Sequence, residues 1–223
     1  MIGEMRKILV SDYDGTITEN DFYTLLIERY IPGDAPDFFA QYREGRISHF
    51  EAMASYFAFA PTEAAQLQEL LVDSRPDPDL GAAAALLQRA GWEIIVVSAG
   101  SSWYIERILA RAGVIATVYS NPGRVESGLG LVLERLDPSS PFHSSDVGVD
   151  KAAVVRHALS VAGKVAFAGD GPPDLEPALL VPPSMRFARG FLASALEVRG
   201  EAYRSFRRWS EIAAELTHEK SSD

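Results

Sequence analysis

Apolar residues recur along this chain in two rhythms. Three short unbroken runs close on small or acidic residues: Ile8-Leu9-Val10 on Ser11-Asp12, Glu93-Ile94-Ile95-Val96-Val97 on Ser98-Ala99-Gly100, and Lys164-Val165-Ala166-Phe167-Ala168 on Gly169-Asp170-Gly171. Runs of this length predict strands buried on both faces. Each is followed by a helical stretch. From Ser102 to Ala112 the spacing of Trp103, Ile105, Ile108 and Leu109 fits an amphipathic helix, and Asp150 to Val161 also reads as helix. Buried strands alternating with helices predict an α/β fold with a mainly parallel sheet covered on both faces. Ligands of such sheets gather at the carboxyl ends of the strands, which here carry Asp12, Ser98 and Asp170.

The alternation breaks between about Asp21 and Asp73, where helical segments near 21–30, 36–44, 48–59 and 62–73 follow one another with no strand between them. Thr62-Glu63 ahead of Leu67, Leu70 and Leu71 predicts a capped helix start. This stretch is expected to be a helical lid inserted after the first strand. Thr18-Glu19-Asn20 would leave the core and Arg75-Pro76-Asp77-Pro78 would return to it, since residues before proline disfavour helix. The expected division is a core of 1–18 and 77–216, a cap of 19–76 and a flexible tail of 217–223. Asn121-Pro122-Gly123 and the run Leu129 to Leu136 predict a turn and a small β excursion.

Composition narrows the chemistry. Of 223 residues, 47% are hydrophobic and 23% charged, an ordinary globular balance. The 21 Lys and Arg against 31 Asp and Glu leave a net charge of −10, which opposes binding to phosphate backbones, so no nucleic-acid partner is expected. With no cysteine, a metal would be held mainly by oxygen or by the four His. The opening MIGEMRKILVSDYDG lacks a signal-peptide h-region, and no apolar run reaches membrane-spanning length. A cytoplasmic protein without a membrane partner is expected.

Asp12 and Asp14, two residues apart, share a face if the strand continues, while Tyr13 points the other way. Carboxylates held that close separate their pKa values or recruit a cation, although Asp-Tyr-Asp-Gly-Thr is also ordinary turn composition. Asp170 between two glycines ends another strand, and Asp174 follows it; Asp174 could equally complement the dipole of a helix opened by Pro172-Pro173. Together these acids offer hard oxygen ligands of the kind Mg²⁺ prefers. Ser98, Ala99 and Gly100 could cradle an anion at a helix N-terminus, or the serines at 101 and 102 could simply cap the helix. Lys151 opens a helix at the end where a cation is disfavoured, so it is either solvated or paired with a bound phosphate.

As a set in this order, the residues resemble those of the haloacid-dehalogenase-like superfamily of aspartate-nucleophile phosphatases. The matching positions are Asp12-x-Asp14-Gly-Thr, Ser98, Lys151 and Gly169-Asp170-Gly171-x-x-Asp174, and the match spans about Lys7 to Leu180. The resemblance implies a Rossmann-like three-layer core with a small α-helical cap after the first strand. It implies Asp12 as nucleophile, giving an aspartyl-phosphate, and Asp14 as general acid and base. Mg²⁺ would be held by Asp12, the Asp14 carbonyl, Asp170 and Asp174, and the phosphoryl oxygens by Ser98 and Lys151, with Ala99 and Gly100 in the same loop. Thr16 would order the first loop. The second Asp argues against the dehalogenating relatives, which lack it.

The helical insertion resembles the cap of phosphoserine phosphatases and of the methionine-salvage phosphatases acting on a diketo-methylthiopentyl phosphate; Phe187-Ala188-Arg189-Gly190-Phe191-Leu192 is closer to the latter. Phosphoserine phosphatases use an early Glu and a deeper Arg in the cap; here those positions fall on Asp21 and near Ala54-Ser55. Without the Arg a substrate carboxylate would lack its bidentate partner. The expected substrate is a small, partly apolar phosphorylated metabolite, with Asp21, Phe22 and Tyr23 as candidate contacts and His49 in a structural or surface role. A phosphotransferase using the same intermediate and a non-catalytic binding module are the competing readings.

Overall fold

The computed structural model describes residues 5–218. The buried runs become one parallel sheet. Strands β1 (Lys7–Ser11), β2 (Trp92–Ser101) and β3 (Thr117–Asn121) are followed by two small antiparallel ladders, β4 (Gly123–Glu126) with β5 (Gly130–Leu133) and β6 (His143–Ser144) with β7 (Gly148–Val149). The chain then rejoins the sheet as β8 (Lys164–Gly169), β9 (Arg186–Ala188) and β10 (Arg204–Ser205). The sheet order is β10-β9-β8-β1-β2-β3, and every pairing in it is parallel. Leu9 of β1 lies between Ile94 and Ala166, and all three are buried, as a strand covered on both faces requires. The excursion expected after 121 is the β4–β5 hairpin; β6 and β7, two residues each, carry too short a pattern to be read beforehand.

Helices α1 (Phe22–Tyr30), α2 (Phe38–Arg43), α3 (His49–Phe57) and α4 (Ala64–Asp73) follow β1 without an intervening strand. Ser48 and Glu51 form a reciprocal capping box at the start of α3. At α4 the expected cap at Thr62 is not made: the helix begins after Glu63, with no side-chain capping bond. The two linkers run side by side, with Glu19 N–H donating to Arg75 O at 3.0 Å and Asp77 N–H to Ile17 O at 3.0 Å.

The remaining helices are α5 (Leu80–Arg89), α6 (Ser102–Arg111), α7 (Lys151–Val161), α8 (Leu175–Leu179), α9 (Gly190–Val198) and α10 (Trp209–His218). Helix α10 packs on α5, and its buried Trp209 donates from Nε1 to Ser11 Oγ at 3.0 Å, fixing the end of the central strand. Thr217, expected in the tail, instead lies in α10 and bonds Ala213 O at 2.8 Å. Positions 219–223 lie outside the described residues. Among the described residues no helix is long and apolar enough to cross a membrane.

Candidate active site

The ends of β1, β2 and β8 converge, and the side chains they carry share one cavity of about 480 Å³. Asp12 leaves β1 with its N–H still bonded to Ala168 O at 2.9 Å, so the sheet holds its backbone. Gly15 then turns at φ +73, and an added Cβ would stand 2.4 Å from Asp170 Oδ2. Only glycine fits there, in both conformation and space. Thr16 donates to Asp170 Oδ1 at 2.7 Å, tying the first loop to the loop after β8. Arg189 clamps the same loop from outside, donating from Nε to Gly15 O at 2.5 Å and from a terminal nitrogen to Thr18 O at 2.7 Å.

Lys151, the cation misplaced at the start of α7, is buried and paired twice. Its Nζ donates to Asp12 Oδ1 at 2.6 Å and to Asp174 Oδ1 at 2.7 Å. Burial pulls the ammonium pKa down, but the two carboxylates more than offset this and the net shift is upward. Asp174 Oδ2 in turn accepts from the amides of Asp170 at 3.0 Å and Gly171 at 2.9 Å. Asp174 therefore does more than complement a helix dipole: it joins Lys151 to the turn that displays Asp170.

Oxygens of Asp12, Asp170 and Asp174 lie within 4.8 Å of one another. Burial pushes Asp12 well above the usual carboxylate range, and the neighbouring Asp174 adds to it. Asp170 is raised for the same first reason. One ammonium is thus shared among several buried acids. A hard divalent cation fits this all-oxygen donor set and would offset its repulsion.

Ser98 and Ser101 divide the work expected of one cluster. Ser101 caps α6, accepting from Trp103 N at 3.2 Å. Ser98, on the cavity wall, accepts from Gly100 N at 3.0 Å. The segment 98–100 is the irregular end of β2, where the register with β3 shifts between Ser98 and Ser101. Asp14 is half-buried at the cavity wall, and desolvation raises its pKa to about 6 despite bonds from the Phe22 amide at 3.0 Å and the Tyr104 hydroxyl at 2.5 Å.

From helices α1, α2 and α3, Tyr23, Phe39, Tyr42, Arg43, His49 and Met53 face the same cavity. Asp21 also lines it, its carboxyl pushed up to about 7 by burial and then by Asp14 and Asp170. The structure thus brings together Asp12, Asp14, Asp21, Tyr23, Ser98, Ala99, Gly100, Lys151, Asp170 and Asp174. Phe22 is the exception: it is fully buried, stacked on Tyr104 with centroids 4.3 Å apart, and its apolar ring belongs to the core rather than to the cavity wall. His49, expected in a structural or surface role, packs its ring against Phe39 and Tyr42 and also lines the cavity. Arg43 is the cationic side chain that sequence reasoning missed, because its exposed helix position, paired with Asp37 at 3.3 Å, carries no distinguishing pattern.

Acids and a buried lysine gather at the carboxyl edge of a parallel sheet, the edge at which α/β proteins of this architecture bind their ligands. The chain belongs to the haloacid dehalogenase-like hydrolase family, whose model matches residues 9–179. It is similar to the 2-hydroxy-3-keto-5-methylthiopentenyl-1-phosphate phosphatase of Brevibacillus brevis, 23% identical over 195 residues that cover 86% of each chain. The protein of the same name from Exiguobacterium sibiricum is 23% identical, covering 93% of this chain and 95% of its own. Within the family the protein is a phosphatase, a phosphoric monoester hydrolase. The fold is similar to that of a HAD family hydrolase from Salmonella enterica serovar Typhi, with a TM-score of 0.68, 16% identity, and 97% of this chain and 73% of that one covered. It is also similar to that of a substrate-bound phosphoserine phosphatase, with a TM-score of 0.65, 14% identity and coverage of 95% and 98%.

Proposed function

We propose that the protein hydrolyses a small phosphate monoester in two steps through a phosphorylated Asp12. The observation that carries this reading is the pairing of Asp12 Oδ1 with buried Lys151 at 2.6 Å on the cavity floor, with Asp14 two residues further on. In the first step a carboxylate oxygen of Asp12 bonds to phosphorus. The ester P–O bond breaks, and the leaving oxygen takes its electron pair and the proton of the Asp14 carboxyl. In the second step water attacks the same phosphorus and gives a proton back to Asp14, and the bond to Asp12 breaks to release phosphate. Lys151 and Ser98, with the strand end at Ala99 and Gly100, bind the phosphoryl oxygens, so positioning and charge stabilisation supply most of the acceleration. Asp12, the Asp14 carbonyl and Asp170 would hold Mg²⁺, with Asp174 acting directly or through water; the ion supplies charge neutralisation at the phosphoryl group.

Residues 19–76 serve as the cap over this floor, and their aromatic and thioether side chains suit a substrate body that is small, uncharged and partly apolar. The methylthiopentenyl phosphate named for the relatives is a compound of that kind. Replacement of Asp12 by Asn tests the mechanism: the folded variant should lose Mg²⁺-dependent hydrolysis of an aryl phosphate by roughly 10³-fold or more. Wild-type turnover in that variant would overturn it. A screen of phosphorylated metabolites ranked by kcat/KM, repeated with alcohol acceptors, tests the substrate class. Transfer to an acceptor faster than phosphate release would favour a phosphotransferase.

A further inference from the structure

Asp14 is held by two donors, one on each oxygen. The Phe22 amide, at the first residue of α1, donates to Oδ1 at 3.0 Å, and the Tyr104 hydroxyl, on α6, donates to Oδ2 at 2.5 Å. One bond would leave the carboxyl free to turn about its last torsion; two donors on different oxygens fix its plane. The donors are themselves braced, because the rings of Phe22 and Tyr104 stack at 4.3 Å with 7° between their planes.

Tyr104 is 1% exposed and does not line the cavity, so any effect it has on the substrate passes through Asp14. A phenol buried in a core need not find such a partner. Neighbouring Tyr13, its ring 5.8 Å from that of Tyr104, is also buried, and its hydroxyl has no hydrogen-bond partner among the described residues. The site has also been cleared for the Tyr104 hydroxyl: a Cβ at Gly100 would stand 1.8 Å from it. A phenylalanine at 104 would fill the core equally well and leave Asp14 held on one side only.

Taking Asp14 as the proposed acid and base, we propose that Tyr104 is a positioning residue, which aims the Asp14 carboxyl at the leaving oxygen by donating to Oδ2. Its contribution belongs to the step in which the leaving group needs a proton. An alkoxide leaving group depends on that proton far more than a nitrophenolate does, so the two substrates separate positioning from general structural support.

The test is single-turnover rapid quench on the full chain with Mg²⁺, using an alkyl phosphate and p-nitrophenyl phosphate. Tyr104→Phe is expected to slow phosphoryl transfer from the alkyl phosphate by roughly 10- to 100-fold, as loss of a buried bond to a charged group implies. With p-nitrophenyl phosphate the loss should stay within about threefold. In an Asp14→Asn background the Tyr104→Phe change should cost no more than about twofold, because the group it positions is gone. Equal losses on both substrates, losses that multiply in the double variant, or a Tyr104→Phe chain that does not fold would each overturn the proposal, since the hydroxyl would then serve the core. If Asp14→Asn itself shows no preference for the better leaving group, the reading of Asp14 as the acid fails, which is a separate outcome from the failure of Tyr104 to position it.

Discussion

Floor and lid of the same cavity are built on opposite principles. On the floor, Asp12, Asp14, Lys151, Asp170 and Asp174 all have hydrogen-bond partners, and the distances from Lys151 Nζ are 2.6 and 2.7 Å. On the lid, the rings of Phe39 and Tyr42 meet that of His49, Met53 lines the same wall, and the side chain of Arg43 is 65% exposed. The phosphoryl chemistry proposed for the floor would tolerate little misplacement, and its residues are pinned by strand ends and by one another. Selecting a substrate body asks only for shape and apolar area, which a looser helical wall supplies.

The floor should therefore fail abruptly. Replacing Lys151 by Met leaves Asp12 and Asp174 facing each other without their shared cation, in a place where side chains are at most 8% exposed. Breaking a buried pair in this way costs about 3–5 kcal/mol. A lowered urea midpoint in metal-free buffer is the expected readout, with Mg²⁺ recovering part of it because a cation bound to the folded state restores charge. An unchanged midpoint would show that the floor is no more tightly coupled than the lid.

The floor was also the legible part. A buried strand shows itself as an apolar run, and an acid immediately after it, as at Asp12 and Asp170, marks a sheet edge that presents ligands. Lys151 stood out because a cation at a helix start contradicts the dipole, and its double pairing explains the contradiction. What remained hidden was set by contacts remote in sequence. Tyr104 meets Asp14 across 90 positions, and Arg189 meets Gly15 across 174, each from a helical face or strand end with no distinguishing pattern of its own. Strands β9 and β10, three and two residues long, are too short to carry a period. Phe22 misled because aromatic periodicity in a lid helix is the same whether the ring faces the cavity or the core.

The lid should fail gradually and selectively. Phe39 touches Tyr23, His49 and Tyr56 and lines the cavity without bonding to any floor residue. Phe39→Ala is expected to lower kcat/KM for phosphates with an apolar body by about 10-fold, while changing hydrolysis of a short polar phosphate little. Equal losses on both would mean that the lid wall acts on the chemistry rather than on selection.

Asp21 stands where floor and lid meet, and it should give the smallest effect. Burial, and then Asp14 and Asp170, raise its carboxyl from 3.8 to about 7. Between those values the folded chain binds more protons than the unfolded chain, so this group lowers stability as pH rises and the loss is complete above the folded value. Asp21→Asn removes the titration. In metal-free buffer the variant should melt above wild type by about 2–4 °C at pH 8, because solvent screening of this half-buried carboxyl leaves only about 1 kcal/mol of the shift as stability, with the gap narrowing as pH falls from about 7 toward 4. Thermal melts at pH 5 and 8 provide the check. A gap that widens in acid, or one independent of pH, would mean that Asp21 is solvated like the lid rather than confined like the floor.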